Sequence, residues 1–218
     1  MGNEKVIARI EAIGKSDQVP GSVQKVAVPI CPEEVPAVQT GECTYYQNRH
    51  NSFVERQTHR KNKPPTYYLE YGFKYCSKFK KETYAKLSKE GQIWLDGTLL
   101  LLQEFMEQGL VQKNYVSGTN EAFNANYQFT KKDGTIDMEQ VTKFYTGIEC
   151  REAHFKHFAF ATHPDAYRPK IMETLPFMDL AHIGLTPNFS EIRDPLTREQ
   201  IGIMWEKMDI SMTVFGVR

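Results

Sequence analysis

The sequence predicts a mainly α fold (α+β): a multi-helix globular domain with a small N-terminal β arm and a short hairpin near 127–138. Two stretches, "TYYLEYGFKYCSKFKKETYAKLS" and "SKEGQIWLDGTLLLLQEFMEQGL", repeat apolar residues every three or four positions, the period of a buried helix face. Strand-like alternation is confined to "VIARI" and "VQKVAVPI" near the start. Hydrophobic residues make up 40% of the 218 residues and charged residues 25%, which suits a folded chain that can bury its own core.

Residues 1–40 read as an extended β arm and a connector, because Pro32 and Pro36 restrict that chain to extended or turn forms. Residues 41–218 read as a helical domain with a polar insertion at about 111–150. Within it, Thr44 caps a first helix running to about His59, with Tyr46 and Phe53 on its apolar face. Thr66 caps the second helix, where Gly72 signals tight packing. Ser88 caps the third, whose stripe runs Trp94, Leu95, Thr98, Leu101, Leu102, Phe105 and Met106, and Gly109 marks its end. The insertion carries a short helix near Phe123–Tyr127 and a hairpin turning at Asp133-Gly134. Further helices are expected at 151–162, 164–175 and 179–185, and a last one is capped by Thr197 in a Thr-x-x-Gln box.

Composition removes several functions. Lys plus Arg is 27 and Asp plus Glu is 27, so no global field draws the protein to nucleic acid. The basic "RQTHRKNK" reads as a solvated linker, with a phosphate-binding patch as the alternative. The longest apolar run, Leu99–Leu102, is far too short for a membrane span, and the N-terminus does not read as a secretory signal. Nucleophile-elbow, phosphate-loop and dinucleotide glycine motifs are absent, and no cofactor is expected. Cys31, Cys43, Cys76 and Cys150 form no Cys-x-x-Cys pair. Without a signal they read as reduced thiols, although an exported protein would be free to pair them.

Candidate chemistry gathers in "EAHFKHFAFATHPDAY", Glu152–Tyr167. Proline disfavours helix in the residue before it, so one helix should stop near Thr162 or His163 and Pro164 should open the next. His163 at that corner, with Asp165 in the following first turn, forms a candidate acid–base pair. The plainer reading is a helix cap. His154 and His157 share a helix face at metal-ligand spacing, but Glu152 lies about 200° from His154 around a 3.6-residue helix, so no third ligand is at hand. Asp133-Gly134 resembles part of a calcium loop, yet Lys131, Phe129 and Gln140 stand where oxygen ligands belong. Glu70, in "YYLEYGFKY", is a candidate catalytic acid if the tyrosines desolvate it. Otherwise it is an exposed helix residue near Lys74.

Three blocks, "GECTYYQNRH", "YYLEYGFKYCSKF…LSKEGQIWLDGTLLLLQEFMEQGL" and "FAFATHPDAY…LPFMDLAHIGLTP", resemble a bacterial family associated with type VI secretion and interbacterial toxin loci. The resemblance spans about residues 31–190 and brings no catalytic motif, so no residue role is carried over from it. It implies a protein cytoplasmic in the producing cell and exported without a signal peptide. The expected function is a type VI-associated effector acting on the cell envelope, such as a peptidoglycan glycan hydrolase using Glu70, or His163 with Asp165. Its partners would be peptidoglycan or another glycan and a secretion-apparatus or immunity protein. The alternatives are a non-enzymatic adaptor, chaperone or immunity partner, and a metal-dependent enzyme using His154 and His157.

Overall fold

The computed structural model describes residues 34–57, 62–187 and 195–208. Helix α1 is Thr44–Arg56. A composite helix, α2, follows: a π-helical Tyr68–Phe73, an α-helical Lys74–Lys78, a second π segment Phe79–Thr83 and a 3-10 turn Tyr84–Lys86. Then come α3 (Lys89–Leu110), α4 (Glu121–Asn126), α5 (Met138–Tyr145), a 3-10 turn Ile148–Cys150 and α6 (Glu152–Tyr167). Helices α7 (Pro169–Met172), α8 (Phe177–Leu185) and α9 (Pro195–Lys207) complete the described chain. Helix α1 packs on the first part of α2, while α3 and α9 both pack along α6.

The expected β arm falls mostly outside the described residues, and 34–40 hold no strand. Near 127–138 the hairpin is reduced to one antiparallel bridge, Thr130 with Ile136. Its turn is at Asp133-Gly134 as expected: Asp133 accepts from Thr135 N, and Gly134 has φ +83°, a conformation that favours glycine. The polar segment 111–150 feeds the common core, where Tyr115, Phe123, Phe129, Val141, Phe144, Tyr145 and Ile148 are buried.

Local signals succeed and fail for identifiable reasons. Ser88 caps α3 by accepting from Gly91 N at 3.1 Å, and Asp179 of α8 accepts from Ser88 N at 2.9 Å. Thr44 and Thr197 are not caps: α1 begins at Thr44 and α9 at Pro195. Gly72 is where the ring of Tyr46 lies, 2.3 Å from the position a Cβ would take. Gly109 stands one residue before the end of α3, where the sequence places the end, but it is not a left-handed cap. It is a buried helical position pressed by Phe158, 2.4 Å from where a Cβ would stand.

The largest departure is α6. It does not break at Pro164 but runs through it to Tyr167. Interior proline costs on the order of 3 kcal/mol. Here the turn that follows is held from outside. Trp94 Nε1 donates to Tyr167 O at 2.9 Å, and Asp165 is bound by the loop after Tyr115. The corner falls instead at Arg168, φ +50°, and Pro169 opens the next helix.

The three described cysteines are not reduced thiols. Cys43, just before α1, is joined to Cys76 in α2, and Cys150 is also disulfide-bonded. Closing a 33-residue separation restricts the unfolded chain by about 3–4 kcal/mol on the chain-entropy account.

Two glycines should respond oppositely to alanine. Gly109→Ala meets Phe158 and should cost about 1–3 kcal/mol. Gly184→Ala in α8 meets nothing within 4 Å and should gain about 0.5–1 kcal/mol, read from urea unfolding.

Candidate functional site

Helix α6 carries His154, His157, His163 and Asp165, so its register decides which of them can act together. His163 and Asp165 lie two residues apart, about 200° around the helix. They are not paired. His163 turns to α2, where its Nε2 is 3.0 Å from the Tyr67 hydroxyl. Its ring is stacked with Phe160 at 5.1 Å and with Tyr167 at 5.5 Å. Burial in this layer pushes the imidazole down to about 4, because a charged ring would lose hydration without gaining a carboxylate.

The π-helical turn at the start of α2 shapes this layer. Its wider winding sets Tyr67 and Tyr71 nearly parallel, 10° between planes at 6.0 Å. Tyr71 meets Phe160 edge-on at 5.4 Å, and Lys156 Nζ stands over the Tyr71 ring at 5.2 Å. The phenols of Tyr46 and Tyr167 lie near enough to Tyr67 to raise its hydroxyl further, after burial. Sequence reading treated Tyr67 as the first residue of a helix and missed its role as the partner of His163.

Asp165 faces the other way and is fully engaged. One oxygen accepts from Tyr115 Oη at 2.6 Å, Ser117 Oγ at 3.0 Å and Gly118 N at 3.0 Å. The other accepts from Thr119 Oγ1 at 2.6 Å. The carboxylate therefore pins residues 115–119. The signal for this was the donor-rich "YVSGTN": a Ser-Gly-Thr turn between helices needs an acceptor.

Glu70 is on the π-helical turn but points outward, exposed, so the tyrosines do not enclose it. The nearest aromatic layer contains His163, not Glu70. The three residues singled out for catalysis thus occupy three separate surroundings.

The histidine pair is also divided. His157 is fully buried, with Nδ1 2.9 Å from the Tyr127 hydroxyl and Nε2 without a partner. Burial first, then the nearby His154, pushes it down to about 4. His154 is met by Arg151, whose Nη1 is 3.0 Å from its Nδ1, and it stacks on Phe144. Among the described residues no three His, Cys, Asp or Glu side chains gather to hold a metal ion.

Two paired acids escaped sequence reading, Glu149 buried and Glu107 partly so. Glu149 pairs with Arg56 at 2.8 Å and accepts from Tyr68 Oη at 2.6 Å. Glu107 pairs with the fully buried Arg49. The register of α1 held the clue, since Arg49 and Arg56 are seven residues apart on the face that also buries Phe53. Comparison with protein-family models, curated proteins and solved structures finds no match in any of the three.

Asp165→Ala should leave four donors without their acceptor and cost about 3 kcal/mol in thermal or urea unfolding. The histidines set a pH dependence. Each binds its proton near 6.5 when unfolded but near 4 in the fold, so the unfolded state takes up more protons. Stability should be full above about pH 6.5 and fall progressively towards about pH 4. Urea unfolding across that range should show a shallower fall in His163→Gln than in the native chain.

Proposed function

We propose that this is a bacterial envelope protein of the type VI-associated kind that works by binding rather than by hydrolysis: an adaptor, chaperone or immunity partner. The observation that carries this reading is the commitment of the candidate catalytic groups. Asp165 is filled by four donors, His163 is bonded to Tyr67 within an aromatic layer, and Glu70 stands alone at the surface. A glycan hydrolase ordinarily sets two carboxyl groups facing one bond, whereas Glu70 is exposed on α2 and Asp165 is engaged by residues 115–119.

The disulfides favour the envelope. Cys43–Cys76 and the bonded Cys150 suit an oxidising compartment, which a protein exported from the cytosol enters only afterwards. A protein partner is favoured by α8. Met178 and Leu185, two helical turns apart on the same side, are 60% and 76% exposed. Open apolar residues in register are what a partner surface covers.

Expression in the cytosol and in the periplasm of a bacterium tests this. Growth should be unaffected in both, and the purified protein should release no soluble fragments from peptidoglycan sacculi. Release of fragments that is lost in Glu70→Gln, or in His163→Ala, would replace binding with the hydrolase reading. Thiol titration of the periplasmic protein should find Cys43 and Cys76 blocked until a reductant is added.

A further inference from the structure

His157 is a buried polar group that the binding reading does not use. It sits where α4 and its following turn meet α6. The Phe123 ring and the imidazole meet edge to face at 5.1 Å and 87°, and the Tyr127 hydroxyl is bonded to Nδ1. Nε2 is buried with no partner. In the neutral ring, one nitrogen accepts and can be left bare at modest cost. In the protonated ring both nitrogens must donate. The site offers only one oxygen, so the second N–H would have no acceptor in an apolar, aromatic surround.

The neighbouring charges add to this. On α6 itself the charged group that reaches His157 is His154, which is backed by the Arg151 guanidinium, so both are basic. From α4 the titratable group is the Tyr127 phenol. Helix α5 brings Phe144, which stacks on His154 and Tyr127. Helix α9 also packs on α6, and its Glu199 makes no bond to His157. Among the described residues no carboxylate bonds the imidazole and compensates a proton.

We infer that the Tyr127–His157 contact is an acid-sensitive latch: protonation of His157 frees the segment Glu121–Tyr145, with α4 and α5, from α6 while α1–α3 stay folded. The boundaries follow from the bonds on either side. Before the segment, Asp165 holds residues 117–119. After it, Glu149 is tied to Arg56 and Tyr68. Between these anchors Tyr127, Phe123 and Phe144 ring His154 and His157 on α6, and Tyr145 closes the segment's far end edge-on to Phe158 at 4.9 Å. His163 does not play the same part. It lies on the α2 side of α6, bonded to Tyr67 and away from the segment.

Backbone hydrogen exchange of the whole chain, corrected for the intrinsic pH dependence of exchange, tests the latch. A histidine that goes from about 6.5 unlatched to about 4 latched should raise opening roughly 20-fold between pH 7 and pH 5. Protection across 121–145 should drop by that factor, with a much smaller change in α1–α3. His157→Gln should flatten the response and His163→Gln should keep it. Should His157→Gln not fold, Tyr127→Phe decides: it should show raised exchange across 121–145 already at pH 7. Uniform loss of protection along the chain overturns the inference. So does an undiminished response in His157→Gln, or unchanged exchange in Tyr127→Phe.

Discussion

The fold hangs on a charge buried in α1. Arg49 is fully buried and meets Glu107 of α3 through Nε and Nη2, with Nε to Oε1 at 2.8 Å. The same carboxylate accepts from Tyr45 Oη at 2.7 Å and from Val38 N at 3.1 Å, while Arg49 Nη1 donates to Pro36 O at 2.8 Å. One ion pair therefore fixes three things: the rotation of α1, its distance from α3, and the path of the connector ahead of it. A buried pair is weak evidence for stability against an apolar alternative, but removing one partner alone is severe. Its value here is geometric. It allows one register for α1, and in that register Arg56 reaches Glu149 and Cys43 reaches Cys76.

From that placement the rest of the core can be followed. Tyr46 of α1 presses into the gap at Gly72, which sets α2. The π-helical start of α2 brings Tyr67 to His163, and Tyr68 to Glu149. Helix α6 is thus gripped on the α2 side by aromatic rings and on the opposite side by the Asp165 clamp. This double grip explains why a helix can pass through Pro164. It also explains why histidines and a carboxylate close in sequence do no joint chemistry: each is spent on a different neighbour.

Much of the helical layout was legible in the sequence, because helix periodicity and caps are local. Ser88, Gly72 and the stripe through Trp94 and Met106 carry their signals within a few residues. Local rules failed where distant partners decide. Pro164 signals a break, but the clamp from 115–119 overrides it. Gly109 does lie at a helix end, but the reason for a glycine there is distant: Phe158 needs its space. The cysteines look unpaired because pairing depends on which helices meet. The candidate site suffered most. His163 and Asp165 were legible as unusual residues, yet their partners Tyr67, Tyr115 and Thr119 lie 46 to 96 residues away along the chain.

The most direct test of the central role of the ion pair is a double-mutant cycle on Arg49 and Glu107. Stability would be measured by urea unfolding of Arg49→Met, Glu107→Leu and the double variant. Each single variant should lose about 3–5 kcal/mol, because it strands a buried charge. The double variant should recover most of that loss, giving a coupling of at least about 2 kcal/mol. Single losses under about 1 kcal/mol that simply add would contradict the account, since they would make the pair a bystander to the packing of α1.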